Sequence, residues 1–433
     1  MKKGKVDVIT LGCSKNLVDS ERLMQLFSSY GYRVEHDAHK VDGEIVVVNT
    51  CGFIGDAKEE SINTILALVE MKKQHRIGKL FVMGCLSERY REELREEIPE
   101  VDAFYGKFDW TRLLEDLGKA QNNTDFYKRI LSTPKHYAYL KIAEGCDRTC
   151  SYCAIPLITG KYKSRMPEEI LKEASELANS GIKEIQLIAQ DLTYYGLDLP
   201  EHINLLPQLV EDLCKIDGIE WIRLHYAYPN HFPKDLLRVM REQPKVCKYL
   251  DIALQHISDH MLTLMRRQIT AKETIDLLKE IRKEVPGIHL RTTLMVGHPG
   301  ETEADFEELM QFVKDMKFER MGAFSYSHEE DTYSGIHYQD DVPQDVKANR
   351  MNRLMNLQEE ISLDIQEDKI GKVFKVIIDR KEADGYVGRT EFDSPDVDPE
   401  VLIEKVDKNL EVGSFYNVKI TSATPFELFG EIV

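Results

Sequence analysis

The opening third of the chain alternates short β-rich runs with helical patterns, and that rhythm leaves few folds open to it. "VDVITL" precedes a helix expected near 19–30, "EIVVVN" one near 56–74 and "KLFVMG" one near 87–97. Such a βαβα order implies a parallel sheet with helices on its faces. From 137 to about 326 the alternation returns, with strands expected near 138–142, 184–190, 220–225, 249–254, 289–296 and 320–326. The helix expected at 168–180 puts Ile170, Leu171, Ala174, Leu177 and Ala178 on one face, behind Pro167. Six β/α units fit a complete or partial β/α barrel, whose chemistry belongs to the loops at the carboxyl ends of its strands.

Residues 118–136 lose periodicity and read as a linker. Residues 344–370 form one long polar helix pattern, and 371–433 are different again: "KVFKVIID", "GYVGRT", "VLIEKV", "FYNVKITSA" and "LFGEIV" predict a small antiparallel β-barrel. A chain of 433 residues is too long for one core. Its expected division is an α/β domain over 1–120, a partial β/α barrel over 137–343, a connecting helix over 344–370 and the small barrel over 371–433. No apolar run reaches the roughly 18–20 residues that span a membrane, and "MKKGKVDVITLGC" lacks the apolar core of a signal peptide. A cytoplasmic protein with reduced thiols is expected, so its eight cysteines point to metal or catalysis before disulfides.

"EGCDRTCSYC" sets Cys146, Cys150 and Cys153 directly after the first barrel strand. Three thiolates admit a zinc site completed by a remote ligand, an iron–sulfur cluster with one iron open to an outside ligand, or plain burial as small hydrophobes. His136, the nearest fourth zinc ligand, precedes the strand and should lie at its other end. Spacing, strand-end location and reduced thiols together favour the cluster. Cys13, Cys51 and Cys85 each lie just beyond the carboxyl end of an expected strand in the first domain. One by one they read as buried structural cysteines; their repeated position makes a shared cluster the better reading, since one parallel sheet presents such ends along one edge. Cys214 and Cys247 repeat nothing and read as packing residues.

C-x3-C-x2-C after the first strand of a partial barrel resembles the radical S-adenosylmethionine (SAM) enzymes. Two three-cysteine sets in this order, followed by a small β-domain, resemble the methylthiotransferase family over nearly the whole chain. The resemblance implies a methylthiotransferase N-terminal domain, a radical SAM partial barrel and a TRAM domain. It implies a 4Fe–4S cluster on Cys146, Cys150 and Cys153 whose open iron binds SAM, and an auxiliary 4Fe–4S cluster on Cys13, Cys51 and Cys85 whose open iron carries the sulfur to be inserted. It further implies two SAM molecules, an external electron donor and a sulfur donor. Tyr152 in the loop, Gln190 and Asp191 in "LIAQDLTYYG", Arg291 and Gly297 in "RTTLMVGHPGET", and Arg165 in "GKYKSR" are expected on the SAM side. For Gly297 a simple turn, and for Arg165 an ordinary surface arginine, are competing readings.

Members of this family modify adenosine in tRNA or an aspartate of ribosomal small-subunit protein S-twelve. "LHYAYP", "DIALQH", "YSHEEDTYS" and "GRTEFDSPDVDP" resemble the second, RimO-type branch; Ala253, where proline is frequent, and His298, where an aromatic is frequent, depart from it. The net charge of −18 and the 13 acidic against seven basic residues over 373–433 also suit a basic protein partner better than a phosphate backbone. On this reading Asp393, Asp396 and Asp398 belong to the face that meets that partner. The β-carbon of an aspartate carries unactivated C–H bonds beyond acid–base side chains, so no residue is assigned as general base.

Overall fold

A computed structural model of the chain describes residues 1–119, 128–404 and 409–433; part of the expected linker, 120–127, lies outside the described residues. The first sheet contains β1 (Lys2–Thr10), β2 (Arg33–His36), β3 (Gly43–Thr50), β4 (Lys79–Gly84) and β5 (Ala103–Phe104), ordered β2-β1-β3-β4-β5 and parallel throughout. Its central strands are β-branched runs because both faces are covered. Val46, Val48, Leu80 and Val82 pack on helix Gly55–Lys73, while Val6, Val8, Val47 and Phe81 pack on helix Ser14–Ser29. The expected strands and helices are present, with two short edge strands added, and the third helix is broken at Tyr90 into Cys85–Arg89 and Arg91–Glu97. Tyr90 leaves helical geometry, and its hydroxyl donates to Glu330 at 2.8 Å.

A hairpin follows the first strand of the second sheet: β6 (Tyr137–Lys141) leads to β7 (Ala143–Glu144), which pairs with β8 (Lys163–Ser164). The sheet continues with β9 (Glu184–Ile188), β10 (Trp221–Ala227), β11 (Val246–Ile252), β12 (His289–Val296) and β13 (Arg320–Ser325). Order β13-β12-β11-β10-β9-β6 leaves β6 and β13 as its two edges, so the barrel is partial. Helix Pro167–Asn179 buries Ile170, Ala174 and Leu177 as its periodicity requires. Residues 128–132 do not hang free: Arg129 bonds Glu21 at 2.8 Å and Glu173 at 3.1 Å.

The C-terminal barrel closes in the order β14-β15-β16-β18-β17 from β14 (Val373–Glu382), β15 (Gly385–Thr390), β16 (Glu400–Glu404), β17 (Phe415–Ala423) and β18 (Glu427–Ile432). It is mixed rather than wholly antiparallel. Because β17 returns to pair with β14, the last strand closes the barrel beside β16 in the same direction.

This barrel seats on the amino-terminal end of the second sheet through buried charge. Glu184, at the start of β9, binds Arg223 at 2.9 Å and Arg389 at 2.8 Å; Arg389 also holds Asp379, which meets His136 at 2.7 Å. His136 thus stands at the far end of β6 from the cysteine loop, engaged by the C-terminal barrel. Arg320 grips Asp393, Arg291 grips Asp398, and His289 stacks on Phe392 at 4.1 Å. The Asp393 and Asp398 side chains are fully buried, which overturns their expected role in meeting a partner; of the three acids only Asp396 is exposed. The segment 391–398 carries acids because it plugs a ring of strand-start arginines.

Arg320 holds the Asp393 carboxyl well below the usual carboxylate range against the opposing effect of burial. Stability from this pair is therefore present above about pH 4 and lost as pH falls through the depressed pKa. Asp393→Ala leaves the Arg320 guanidinium buried without its partner and is expected to destabilise the chain by about 3–5 kcal/mol in urea unfolding. Adding Arg320→Met should recover part of that loss; a loss below 1 kcal/mol for the single variant contradicts the seating described.

Candidate active site

Three strand exits bring Cys13, Cys51 and Cys85 together. They follow β1, β3 and β4, which are neighbours in the sheet, so their carboxyl ends form one edge. Each cysteine has a glycine beside it, and each glycine is needed for the approach. A Cβ on Gly12 would lie 2.9 Å from the Cys51 sulfur, one on Gly52 2.6 Å from the Leu86 backbone, and one on Gly84 2.4 Å from Asn49 Oδ1. Asn16 ties the edge together: its amide donates to the Leu11 and Thr50 carbonyls at 3.0 Å, and its oxygen accepts from the Cys85 thiol at 3.5 Å. The cysteine pattern was legible in the sequence; the paired glycines and Asn16 were there too, as "GCSKN", "CG" and "GC", but carry meaning only once the strands are aligned.

Burial pushes the Cys51 thiol up, and the Cys85 thiol up to about 12. At Cys13 burial acts the same way, but Lys15, the backbone N–H of Asn16 and Lys107 outweigh it, and the thiol lies below its ordinary range. Cys13 also opens onto a cavity of about 390 Å³. Tyr139, His225, Tyr226, Asp251 and Thr293 of the second sheet line this cavity, and Pro395 and Val397 of the C-terminal barrel close it. All three domains therefore build one space.

The second triad sits in the loop between β7 and β8. Gly145 has φ 78°, and a Cβ there would fall 2.0 Å from the Lys161 carbonyl oxygen, so the loop can close only on glycine. The Cys146 N–H donates to the Gly160 carbonyl at 3.2 Å and the Ser151 N–H to that of Met265 at 3.0 Å. Burial pushes the Cys146 thiol up to about 12 and raises Cys153 as well. Arg267 was missed in the sequence. Its guanidinium is buried, donates to the Cys150 sulfur and to the Tyr152 hydroxyl at 3.3 Å each, holds the Ala253 carbonyl, and stacks 4.1 Å over Tyr228. Left-handed Arg266 and Gln268, each at φ 55°, turn it inward, and no periodic pattern marks such a segment. Because a backbone carbonyl serves, Ala253 meets this need as well as proline.

Asp191 accepts from Arg148 Nε at 2.7 Å and so anchors the cysteine loop, and Gln190 donates to Glu144 at 3.2 Å. Arg165 binds Glu173 at 2.8 Å and the Lys141 carbonyl, at the seam between the first two domains. Arg291 stands five residues before the exit of β12, about 16 Å along the strand, where it binds Asp398 and lines the same cavity as Cys13. The motif "RTTLMVG" crosses the whole strand, so its first residue faces the opposite end from its last. Gly297 spends its N–H on Glu301 at 2.8 Å, and at φ 72° a Cβ would press within 2.4 Å of the Lys347 side chain. His298 makes edge contacts with Tyr152, Tyr326 and Tyr338, and burial lowers its pKa to about 4, so it packs as a neutral ring in an aromatic's place.

The two triads meet through one helix pair: Cys85, first residue of helix Cys85–Arg89, packs on Ala154 and Ile158 of helix Ile155–Thr159, just past Cys153. All six thiols are free. Among the described residues no three His, Cys, Asp or Glu side chains close around a single ion.

Residues 140–313 match the radical SAM superfamily, 5–106 the Uncharacterized protein family UPF0004 and 370–433 the TRAM domain. A cysteine loop after the first strand of a parallel partial barrel and this family match define a radical SAM enzyme, which implies SAM and a 4Fe–4S cluster. Over 433 residues the chain is 64% identical to the ribosomal protein uS12 methylthiotransferase RimO of Parabacteroides distasonis, covering 100% of both chains. Identity to the proteins so named in Bacteroides thetaiotaomicron and Porphyromonas gingivalis is 61% and 63%, again over 100% of this chain and at least 99% of theirs. The chain belongs to the RimO methylthiotransferase family. The radical S-adenosylmethionine methyltransferase TsrM from Kitasatospora setae shares the fold over 77% of each chain, with a TM-score of 0.57 and 15% identity.

Hydrogen bonds to the sulfurs help set a cluster's potential, so Arg267→Gln is expected to retain iron while its one-electron midpoint falls by about 59 mV, tenfold in the reduction equilibrium. Redox titration followed by electron paramagnetic resonance reads this directly, and an unchanged midpoint contradicts it. His298→Phe should keep SAM cleavage within about twofold of the parent, since the three tyrosine edge contacts are retained and only modest neutral hydrogen bonds to Ser151 and the Pro299 carbonyl are lost.

Proposed function

We propose that the chain places a methylthio group on the β-carbon of an aspartate of ribosomal protein uS12, using SAM and two 4Fe–4S clusters. Cys146, Cys150 and Cys153 hold one cluster, and Cys13, Cys51 and Cys85 hold the other. The contact of Cys85 with Ala154 and Ile158 carries this reading, because it sets the first cradle directly against the helix that follows Cys153. Relatives named for uS12 at 60–64% identity over the full chain support the substrate.

Cys146, Cys150 and Cys153 would hold a cluster whose one-electron chemistry toward SAM would supply the radical reactivity that an unactivated C–H bond needs. The chain's own residues do the rest. Arg267 donates to Cys150, Arg148 and Asp191 fix the loop, and Pro395 and Val397 form part of the cavity wall. Tyr152, Gln190 and Asp191 remain on the SAM side of this proposal; Arg165, Arg291 and Gly297 serve the seam, the seating of the C-terminal barrel and a turn. Residues 1–120 act as the auxiliary-cluster domain, 137–343 as the SAM domain, 344–370 as the helix that joins it to the TRAM domain at 371–433. An external electron donor and a sulfur donor complete the reaction, and the reducing cytoplasm keeps the thiols available. No helix of the described residues is long and apolar enough to cross a membrane.

Burial takes Asp393 and Asp398 out of the acidic face, so the case for a protein substrate rests more on the relatives than on charge. Anaerobic reconstitution should give about eight irons per chain, four for each cluster. Replacing Cys146, Cys150 and Cys153 by Ala should remove about half and abolish SAM cleavage. Replacing Cys13, Cys51 and Cys85 by Ala should leave 5′-deoxyadenosine formation measurable and end methylthio transfer. Incubating reduced enzyme, SAM and sulfide with uS12 and with tRNA separately, then digesting both, reads the substrate by mass. A methylthio gain on tRNA alone refutes the uS12 assignment.

A further inference from the structure

Lys15 stands apart from the other interior cations of this site. Its side chain is only 9% exposed, yet among the described residues no carboxylate oxygen lies within 4.0 Å of its ammonium. The nitrogen instead sits 3.2 Å from the centroid of the Tyr226 ring. Tyr226 lines the cavity shared with Cys13 and Ser14, and holds a left-handed backbone at φ 64° within β10. Its neighbours are matched: Lys107 has Glu144 at 3.3 Å, Arg291 has Asp398, and His225 has Asp251 at 3.9 Å.

Lys15 does not serve its own helix either. It occupies the first turn of Ser14–Ser29, where the helix macrodipole disfavours a cation and where no acidic residue stands. A buried charge is ordinarily paired, and the ring face supplies only a part of what an anion would. We infer that Lys15 is the positioning residue for the side-chain carboxylate of the aspartate that enters this cavity, holding the β-carbon beside the first triad. The inference rests on the uS12 reading and deepens it. A purely local alternative is that Lys15 offsets the negative charge of the thiolates around Cys13.

Binding separates the two. The reconstituted holoenzyme, without SAM, is titrated anaerobically by fluorescence anisotropy with uS12 and with uS12 whose target aspartate is replaced by asparagine, a neutral side chain of the same shape. The parent enzyme should bind the aspartate form about tenfold more tightly, a modest value for a hydrogen bond between charged groups. Lys15→Gln should bind both forms equally, and Lys15→Arg should keep the preference for aspartate. A local role at the thiolates would lower iron content, or affinity for both forms alike, and leave the preference in place. Persistence of the preference in Lys15→Gln, or its absence in the parent, overturns the inference. Mass analysis of uS12 after turnover by the parent enzyme tests the uS12 reading separately, so either can fail while the other stands.

Discussion

Four buried charges decide how the first two sheets face each other. Lys141, the last residue of β6, reaches Asp19 of helix Ser14–Ser29 and Glu144 of β7, and Lys107 from beyond β5 meets Glu144 at 3.3 Å and Asp19 at 3.8 Å. Against the penalty of burial, Lys141 and Lys107 hold the Glu144 carboxyl down at about 2. Such a network contributes little net stability compared with an apolar seam, but it penalises any other register of the two surfaces, since sliding would strand a charge. Cys146 follows Glu144 by two residues and Cys13 precedes Asp19 by six, so fixing these charges also fixes the two cysteine cradles.

A second set of charges works at the other end of the barrel. Arg223, Arg291 and Arg320 come from the starts of β10, β12 and β13, and the segment 391–398 answers them with the Glu391 carbonyl, Asp398 and Asp393. The TRAM domain is thereby part of the cavity wall. This explains why the Asp393 and Asp398 side chains are buried, and why net charge alone is a weak guide to where a partner binds.

Between these two seams the chemistry is held by geometry that tolerates little change. Glycine at 12, 52, 84 and 145 lets backbone and sulfur approach closely, and left-handed residues at 226, 266 and 268 aim Tyr226 and Arg267 inward. Strain of this kind persists where surrounding structure over-determines it, and it gathers here around the two triads and the space between them.

The sequence by itself determined the element order, the two parallel sheets and both cysteine sets, because hydrophobic periodicity and strand-end position are local properties of the chain. It also carried the family resemblance, since the motifs are contiguous runs. Tertiary structure alone decided what Asp393, Asp398, Arg291 and Arg267 do, because each is defined by a partner 73 to 117 residues away. The parallel pairing of β16 with β18 belongs to the same class: closure of the small barrel, rather than any feature of either strand, sets its direction. Lys15 is the sharpest instance. In the sequence it is one lysine after a cysteine, and only the packed interior shows it to be a buried cation over an aromatic ring with no carboxylate of its own among the described residues.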